Sequence, residues 1–187
     1  MRLFRVFPYL ATAAPYEPGG VFFRSAGGRN RADSPAGAYR CLYAGDTAEG
    51  SVAEAFGRFD TWDSALVEAD PATPFLPGSR FALAAFDSPN GLDIRQLDDA
   101  QALLDEALRP SQVITRDRSI SQAWAARIQA AGRYAGVAWW SYYDSSWHSY
   151  ALWDIARLSL VGSPRILRNG DDEVARAAAT IGRRLIR

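Results

Sequence analysis

Apolar residues occur in this chain only in short stretches, and none of these stretches approaches the roughly 20 residues that a membrane-spanning helix requires. Glycine, proline and polar residues separate them, so the chain is restricted to short strands and helices that must pack together. With 187 residues and 48% hydrophobic composition, it can bury a sizeable core, and no repeat or long linker divides it. We therefore expect a single domain over residues 1–187.

The residue types that are available narrow the chemistry. None of the 21 basic residues is a lysine, which excludes a lysine nucleophile, a lysine base and a P-loop. The only cysteine, Cys41, and the only histidine, His148, cannot by themselves build a disulfide or a structural zinc site, so no metal is expected. The formal net charge is zero and no basic block is present, which argues against direct nucleic-acid binding.

The first ten residues are too short and too charged for a signal peptide. Together with the shortness of the apolar stretches, this predicts a cytoplasmic protein that has no membrane association.

Apolar periodicity and turn residues predict the order of the elements. Strands are expected at 3–7, 39–44, 80–86, 92–96, 135–141, 149–154 and 157–161. Helices are expected at about 46–59, 98–108, 119–131 and 171–186, with Ile120, Trp124, Ile128 and Ala131 on the apolar face of the third. Strands and helices are mixed without the β-α-β rhythm of a parallel sheet, so the expected fold class is α+β.

The loop Ser25–Asn30, with the sequence SAGGRN, is unusual. Its two glycines allow the backbone to approach a ligand, and Arg29 offers a planar fork that suits phosphate. A plain turn with an exposed arginine accounts for the same residues.

The helix at 46–59 carries a candidate carboxylate. Asp46 is its predicted N-cap, and Glu49 completes a pattern like a capping box. Its buried stripe includes Val52 and Phe56, and Glu54 lies about 200° around the helix from Val52. Glu54 therefore leaves the core and enters either a cleft or, as is ordinary for glutamate, the solvent.

Aromatic residues are dense between Gly136 and Trp153, where they either line a site for a planar heterocycle or belong to the core. Ser141 closes the strand before the turn, and its pairing with His148 for nucleophilic catalysis needs a geometry that the sequence does not define. Cys41 shares a strand face with Tyr43, and it is either a nucleophile or, more commonly, a buried structural thiol.

In this order, the three strings resemble the RES domain family, which is named after its arginine, glutamate and serine. The resemblance places the arginine at Arg29, the tyrosine of the next strand at Tyr43, the glutamate at Glu54 and the serine at Ser141. Arg5 resembles a further arginine on the first strand of the family.

The resemblance covers about residues 3–161 and includes departures from the family pattern. Arg31 follows Asn30 where another continuation is usual, and the connection from Arg29 to Tyr43 is long. These departures bear on the geometry of the loop and on the choice of acceptor.

RES proteins are similar in fold to ADP-ribosyltransferases, so the resemblance implies mixed sheets with flanking helices and NAD as the substrate consumed. It implies the toxin of a toxin-antitoxin system, which cleaves the nicotinamide–ribose bond as a glycohydrolase or phosphorylase. The alternatives are a protein ADP-ribosyltransferase and a non-catalytic binding module.

The same resemblance implies a role for each site residue. Glu54, Arg29 and Ser141 would be catalytic, and these three together with Tyr43 and Arg5 would bind NAD. The implied partner is an antitoxin with an Xre-like helix-turn-helix domain, and a homo-oligomer is left open.

Overall fold

The computed structural model describes residues 1–25, 28–69, 76–88 and 90–186. Its strands are β1 Arg2–Tyr9, β2 Leu42–Gly45, β3 Thr61–Trp62, β4 Arg80–Asp87, β5 Ile94–Gln96, β6 Gly136–Trp140, β7 His148–Leu152, β8 Ser159–Ile166 and β9 Arg184–Leu185. Its helices are α1 Ala48–Phe56, α2 Ser64–Val67, α3 Ala100–Asp105, α4 Pro110–Val113, α5 Arg118–Ala130 and α6 Asp172–Thr180.

Seven strands form one mixed sheet in the order β5-β6-β7-β2-β1-β4-β8. The β5–β6 pair is parallel, and every other neighbouring pair in this sheet is antiparallel. Two strands that the sequence pattern does not predict, β3 and β9, form a separate parallel pair. The α+β class, with mixed sheets and flanking helices, is therefore confirmed.

Two helices pack on the sheet through apolar side chains. In α1, Val52 and Phe56 are buried together with residues of α6, including Val174. In α5, Trp124 and Ile128 are buried together with residues of β6, including Trp139. Because this packing fixes each helix on the sheet, it also fixes the direction in which the polar side chains of that helix point. Within the described residues, no helix is both long and apolar enough to cross a bilayer.

The predicted cap of the first helix is wrong. The N-cap is Thr47, whose Oγ1 accepts a hydrogen bond from the Gly50 N–H at 3.0 Å. Asp46 lies one residue too early and instead accepts hydrogen bonds from His148. Glu49 closes no capping box, because its carboxylate pairs with Arg176.

The apolar face predicted for the helix at 119–131 is only partly buried. Trp124 and Ile128 lie in the core, whereas Ile120 is 40% exposed and Ala131 is exposed. The buried face turns toward Gln122 instead, which is only 7% exposed. Three-dimensional packing thus selects a polar residue where periodicity predicted none.

Other predicted bounds are too long. The helices expected to reach 59, 108 and 186 end at Phe56, Asp105 and Thr180. The C-terminal helix stops early because Leu185 pairs with Trp62 in the small parallel sheet. The C-cap of α1 is Gly57, whose N–H donates a hydrogen bond to the Ala53 carbonyl.

His148 at the start of β7 joins two other segments. Its Nδ1 lies 2.8 Å from Asp46 Oδ2 and its Nε2 lies 3.0 Å from Asp98 Oδ2. Only an imidazolium donates from both ring nitrogens, so this geometry favours the charged ring. Burial opposes the charge, but the bonds and charges of Asp46 and Asp98 outweigh burial and raise the pKa of His148. Tyr150 faces the same two carboxylates, and burial followed by Asp46 raises its pKa.

This arrangement predicts a stability that depends on pH. The pKa of His148 is raised in the folded chain, so its contribution is complete below about pH 6.5 and is lost as the pH rises through the folded pKa. We expect His148→Gln to lower the free energy of unfolding by about 1 kcal/mol at pH 5.5 and by less at pH 9. Urea denaturation at both pH values measures this. An equal loss at both would contradict the charged bridge.

Candidate functional site

A cavity of about 430 Å³ lies between the sheet and α1. Its wall combines residues of β1, β2 and α1 with Trp139 of β6 and Ser149 of β7. Asn30, from the loop between β1 and β2, also lines it. Three residues that the sequence singled out, Arg5, Tyr43 and Glu54, line this one cavity.

Glu54 projects from α1 away from the core and is exposed, as its rotation from Val52 predicts. The Ser141 hydroxyl donates to Glu54 Oε1 at 2.6 Å, and the Ser149 hydroxyl lies 3.3 Å from the same oxygen. Ser141 is 3% exposed and also accepts a hydrogen bond from the Tyr143 N–H. The two serines therefore fix one carboxylate oxygen, while Oε2 has no hydrogen-bond partner among the described residues.

Both serines follow from the geometry of one hairpin. β6 and β7 pair Trp139 with Ser149, and Ser141 comes two residues after Trp139. Because side chains two apart on an extended chain share a face, Ser141 and Ser149 point to the same side. The sequence alone does not identify Ser149 as a site residue, because the register between β6 and β7 is known only from the structure.

Tyr43 forms part of the cavity wall, and its hydroxyl is fully engaged. It donates to Asp33 Oδ1 at 2.8 Å and accepts from the Ala32 N–H at 3.0 Å. Burial, followed by Cys41 and Asp33, raises the pKa of Tyr43. The ring is therefore a neutral, fixed surface at physiological pH.

Arg5 supplies a cation to the wall without a matching carboxylate. Its guanidinium donates to the carbonyls of Val21 at 2.8 Å and Phe23 at 2.9 Å, and lies 4.9 Å from the centre of the Phe7 ring. Burial lowers the pKa of Arg5 to about 10, and no described acidic residue offsets this. Arg5 stays charged at neutral pH, so the cavity can attract an anion.

Arg29 lies in an exposed loop and does not line the cavity, although its neighbour Asn30 does. Gly28 before it has a φ of +70°, a conformation that glycine adopts without strain. Ala26 and Gly27 of the predicted motif lie outside the described residues.

Arg31 is a cation of this region that the sequence reasoning did not assign. It is half-buried, donates to the carbonyls of Val113 and Thr115, and lies 5.9 Å from the centre of the Trp139 ring. Burial and then Arg118 lower the pKa of Arg31 to about 10, while the charge of Glu54 opposes the shift. Arg31 is therefore within electrostatic range of the Glu54 carboxylate.

The family follows from a comparison with known families. A family model described as the RES domain matches residues 2–174. The chain belongs to the RES domain family. The predicted site positions in this RES chain are Arg5, Arg29, Tyr43, Glu54 and Ser141. The structure brings four of them together, because Arg5, Tyr43 and Glu54 line the cavity and Ser141 bonds to Glu54.

A comparison with solved structures agrees with the fold. The RES chain is similar to a chain of the M. tuberculosis MbcT–MbcA toxin-antitoxin complex, with a TM-score of 0.62 and 15% sequence identity. The match covers 97% of this chain and 88% of that chain. A search of curated protein sequences found no match.

The nucleophile arrangements left open by the sequence do not form in this RES structure. Ser141 bonds to Glu54, whereas His148 bonds to Asp46 and Asp98. The Cys41 thiol donates to the Ala32 carbonyl at 3.3 Å and is buried. Among the described residues, no group of three or more His, Cys, Asp or Glu side chains could hold a metal ion.

The environment of Cys41 predicts an unreactive thiol. Burial, followed by the charge of Asp33, raises the pKa of Cys41 to about 12, so the thiolate is scarce at pH 8. We expect iodoacetamide to leave the native protein unlabelled and to label it fully in 6 M guanidinium chloride, as read by intact mass. Labelling of the native protein at the rate of a free thiol would contradict this burial.

Proposed function

We propose that this RES protein cleaves the bond between nicotinamide and ribose in NAD and acts as the toxin of a toxin-antitoxin system. The observation that carries the proposal is the Glu54 carboxylate, which two serine hydroxyls fix at a cavity shared with Arg5 and Tyr43. The cavity volume of about 430 Å³ lies within the range of about 300–1,000 Å³ typical of small-ligand sites.

The chemistry of this bond suits a carboxylate. When the bond between the ribose carbon and the nicotinamide nitrogen breaks, the electron pair leaves with nicotinamide, which becomes neutral. Positive charge then develops on the ribose, and the transition state resembles an oxocarbenium ion. A negative group held near that charge stabilises the transition state more than the ground state.

Glu54 is the residue for this role. Its Oε1 is held by Ser141 and Ser149, so the orientation of the carboxylate is set before substrate arrives. Its Oε2 is available to accept a hydrogen bond from a ribose hydroxyl, and this bond strengthens as charge builds on the sugar. Ser141 acts in this scheme by positioning Glu54 and not by nucleophilic attack.

The remaining predicted residues suit the rest of the dinucleotide. Arg5 is charged and has no carboxylate partner, and Arg29 is exposed and adjacent in sequence to the cavity-lining Asn30. Both offer guanidinium groups to the diphosphate. Tyr43 offers a fixed ring on which the nicotinamide can pack.

The acceptor in this proposal is water or inorganic phosphate, so that NAD is degraded. An acceptor oxygen bonds to the ribose carbon and its proton passes to solvent. A protein side chain can attack the same centre, and product analysis separates these reactions.

We expect the wild-type protein to convert NAD to nicotinamide and ADP-ribose, or to ADP-ribose-1″-phosphate when phosphate is present. Glu54→Gln keeps the size and can still accept from the two serines through its amide oxygen. It removes the charge and puts a donating amide nitrogen in place of the accepting Oε2, so it should lower turnover by about 10²–10³. The matched control is Glu49→Gln on the same helix, because Glu49 pairs with Arg176 away from the cavity lining. Liquid chromatography with mass spectrometry measures all products.

Equal turnover in wild type and Glu54→Gln would contradict the role of Glu54. Unchanged NAD under every condition would contradict NAD cleavage, and ADP-ribose found only on protein would favour the transferase alternative.

We propose further that an antitoxin binds the toxin and holds it inactive. From the family resemblance, we expect this antitoxin to carry an Xre-like helix-turn-helix domain. The support is that a similar chain belongs to a toxin-antitoxin complex. The zero net charge of this chain suits a toxin that leaves DNA binding to its partner.

We expect the product of the neighbouring gene to co-purify with the Glu54→Gln protein and to suppress NAD cleavage when it is added to wild type. The complex should bind promoter DNA in a gel-shift assay, and the toxin alone should not. Separate elution of the two proteins, with NAD cleavage unchanged, would contradict this partnership.

A further inference from the structure

The loop that carries Arg29 is held from two sides by buried polar side chains. On one side, Asp33 Oδ2 accepts from the backbone N–H groups of Arg29 at 2.9 Å and Asn30 at 2.8 Å, and from Asn30 Nδ2 at 3.1 Å. On the other side, Gln122 Nε2 donates to the carbonyls of Gly28 at 2.9 Å and Asn30 at 3.0 Å. We call Asp33 and Gln122 the loop bracket.

Both members of the loop bracket are buried. Asp33 is 5% exposed and Gln122 is 7% exposed. A buried polar group is costly unless its hydrogen bonds are made, and here the bonds are made to the backbone on each side of Arg29. Because carbonyl oxygens only accept, the amide nitrogen of Gln122 is the atom that faces Gly28 and Asn30.

The position of Gln122 on α5 is informative. Its neighbours on the buried face, including Trp124, Ala125 and Ile128, are apolar or small. An apolar residue at 122 would complete the core of this helix, but the Gly28 carbonyl would lose the Gln122 donor and the Asn30 carbonyl would keep only the Asp33 N–H at 3.3 Å. The Gln122 amide therefore forms hydrogen bonds with the loop at a position where an apolar side chain would pack better in the helix.

The loop bracket is also connected to the cavity. Asp33 Oδ1 accepts from the hydroxyl of Tyr43, whose ring lines the cavity, and Asn30 lines the same cavity. One carboxylate thus sets the position of the Arg29 backbone, of Asn30 and of Tyr43.

We infer that Asp33 and Gln122 are positioning residues, which hold residues 28–30 in a single conformation so that Arg29 and Asn30 meet the diphosphate of the dinucleotide. This inference rests on the proposed function. The physical reason is preorganisation: a loop that is ordered during folding does not have to be ordered again when the ligand binds, so binding is tighter.

The inference makes a specific kinetic claim. Asp33 also holds Tyr43, whereas the Gln122 amide bonds only to the loop. Gln122 therefore acts on the diphosphate and not on the bond that breaks, so its loss raises the KM for NAD and leaves kcat nearly unchanged. A bracket that served stability alone would not distinguish substrates that contain the diphosphate from those that lack it.

The test uses Gln122→Met, which keeps the length of the side chain and removes the donor. Gln129→Met is its matched control, because Gln129 lies on the same helix and its side chain has no hydrogen bond among the described residues. Gln122→Glu, which is isosteric but cannot donate to a carbonyl when ionised, is the second variant in case the first fails to fold.

We expect Gln122→Met to raise the KM for NAD about 5- to 20-fold, the effect of losing one or two hydrogen bonds, with kcat changed less than about twofold. Its kinetics on nicotinamide riboside, which lacks both phosphates, should match wild type. In an Arg29→Ala background the substitution should raise KM by a smaller factor than in wild type, because the part of its effect that passes through Arg29 is already lost. Gln129→Met should match wild type throughout.

An unchanged KM, a fall in kcat alone, or an equal loss on nicotinamide riboside would overturn the inference. Hydrogen exchange gives a measurement that does not depend on NAD cleavage, and the amides of 28–33 should exchange at least about tenfold faster in Gln122→Met than in Gln129→Met. If wild type leaves NAD intact, the proposed function fails separately, and equal exchange in the two variants would then overturn the loop bracket.

Discussion

The site depends on a carboxylate that a helix presents and a hairpin holds. Glu54 leaves α1 on the side opposite its buried stripe, and Ser141 and Ser149 reach the same carboxylate oxygen from the β6–β7 hairpin. These elements are far apart in sequence, so the contact exists only when α1 is docked against the sheet by Val52 and Phe56. Apolar packing therefore sets the orientation of a charged group that itself contributes little to the core.

Positive charge is arranged around this carboxylate without neutralising it directly. Arg5 and Arg31 donate hydrogen bonds to backbone carbonyls. These bonds connect loops to the site, but a carbonyl has no net charge, so the guanidinium charges are not neutralised. Burial lowers the pKa of both, yet both remain protonated at neutral pH. The cavity wall holds one carboxylate and the guanidinium of Arg5, and Arg31 lies within electrostatic range. This arrangement suits a ligand with a cationic end and an anionic middle, and NAD has this pattern.

The sequence predicted what depends on local patterns. Helical rotation placed Glu54 outside the core, and the order of the strands and helices predicted an α+β fold. It did not predict what depends on register or on contacts between distant segments. Ser149 requires the alignment of two strands, Gln122 requires the packing of α5 beside a loop 94 residues away, and the two-residue strands β3 and β9 are too short to leave a pattern. The motif around Arg29 suited both a ligand-binding loop and a plain turn with an exposed arginine, and it could not decide whether Arg29 lines the cavity.

The commitment of His148 to two aspartates has a consequence for how bonds can break here. The chain has one imidazole and one thiol, and both are occupied elsewhere, the ring between carboxylates and the sulfur beneath a loop carbonyl. Neither group is among the residues that line the cavity, so neither is placed to protonate a departing group there. Such a site suits a leaving group that needs no proton, and a pyridinium ring that becomes an uncharged pyridine on departure meets this requirement.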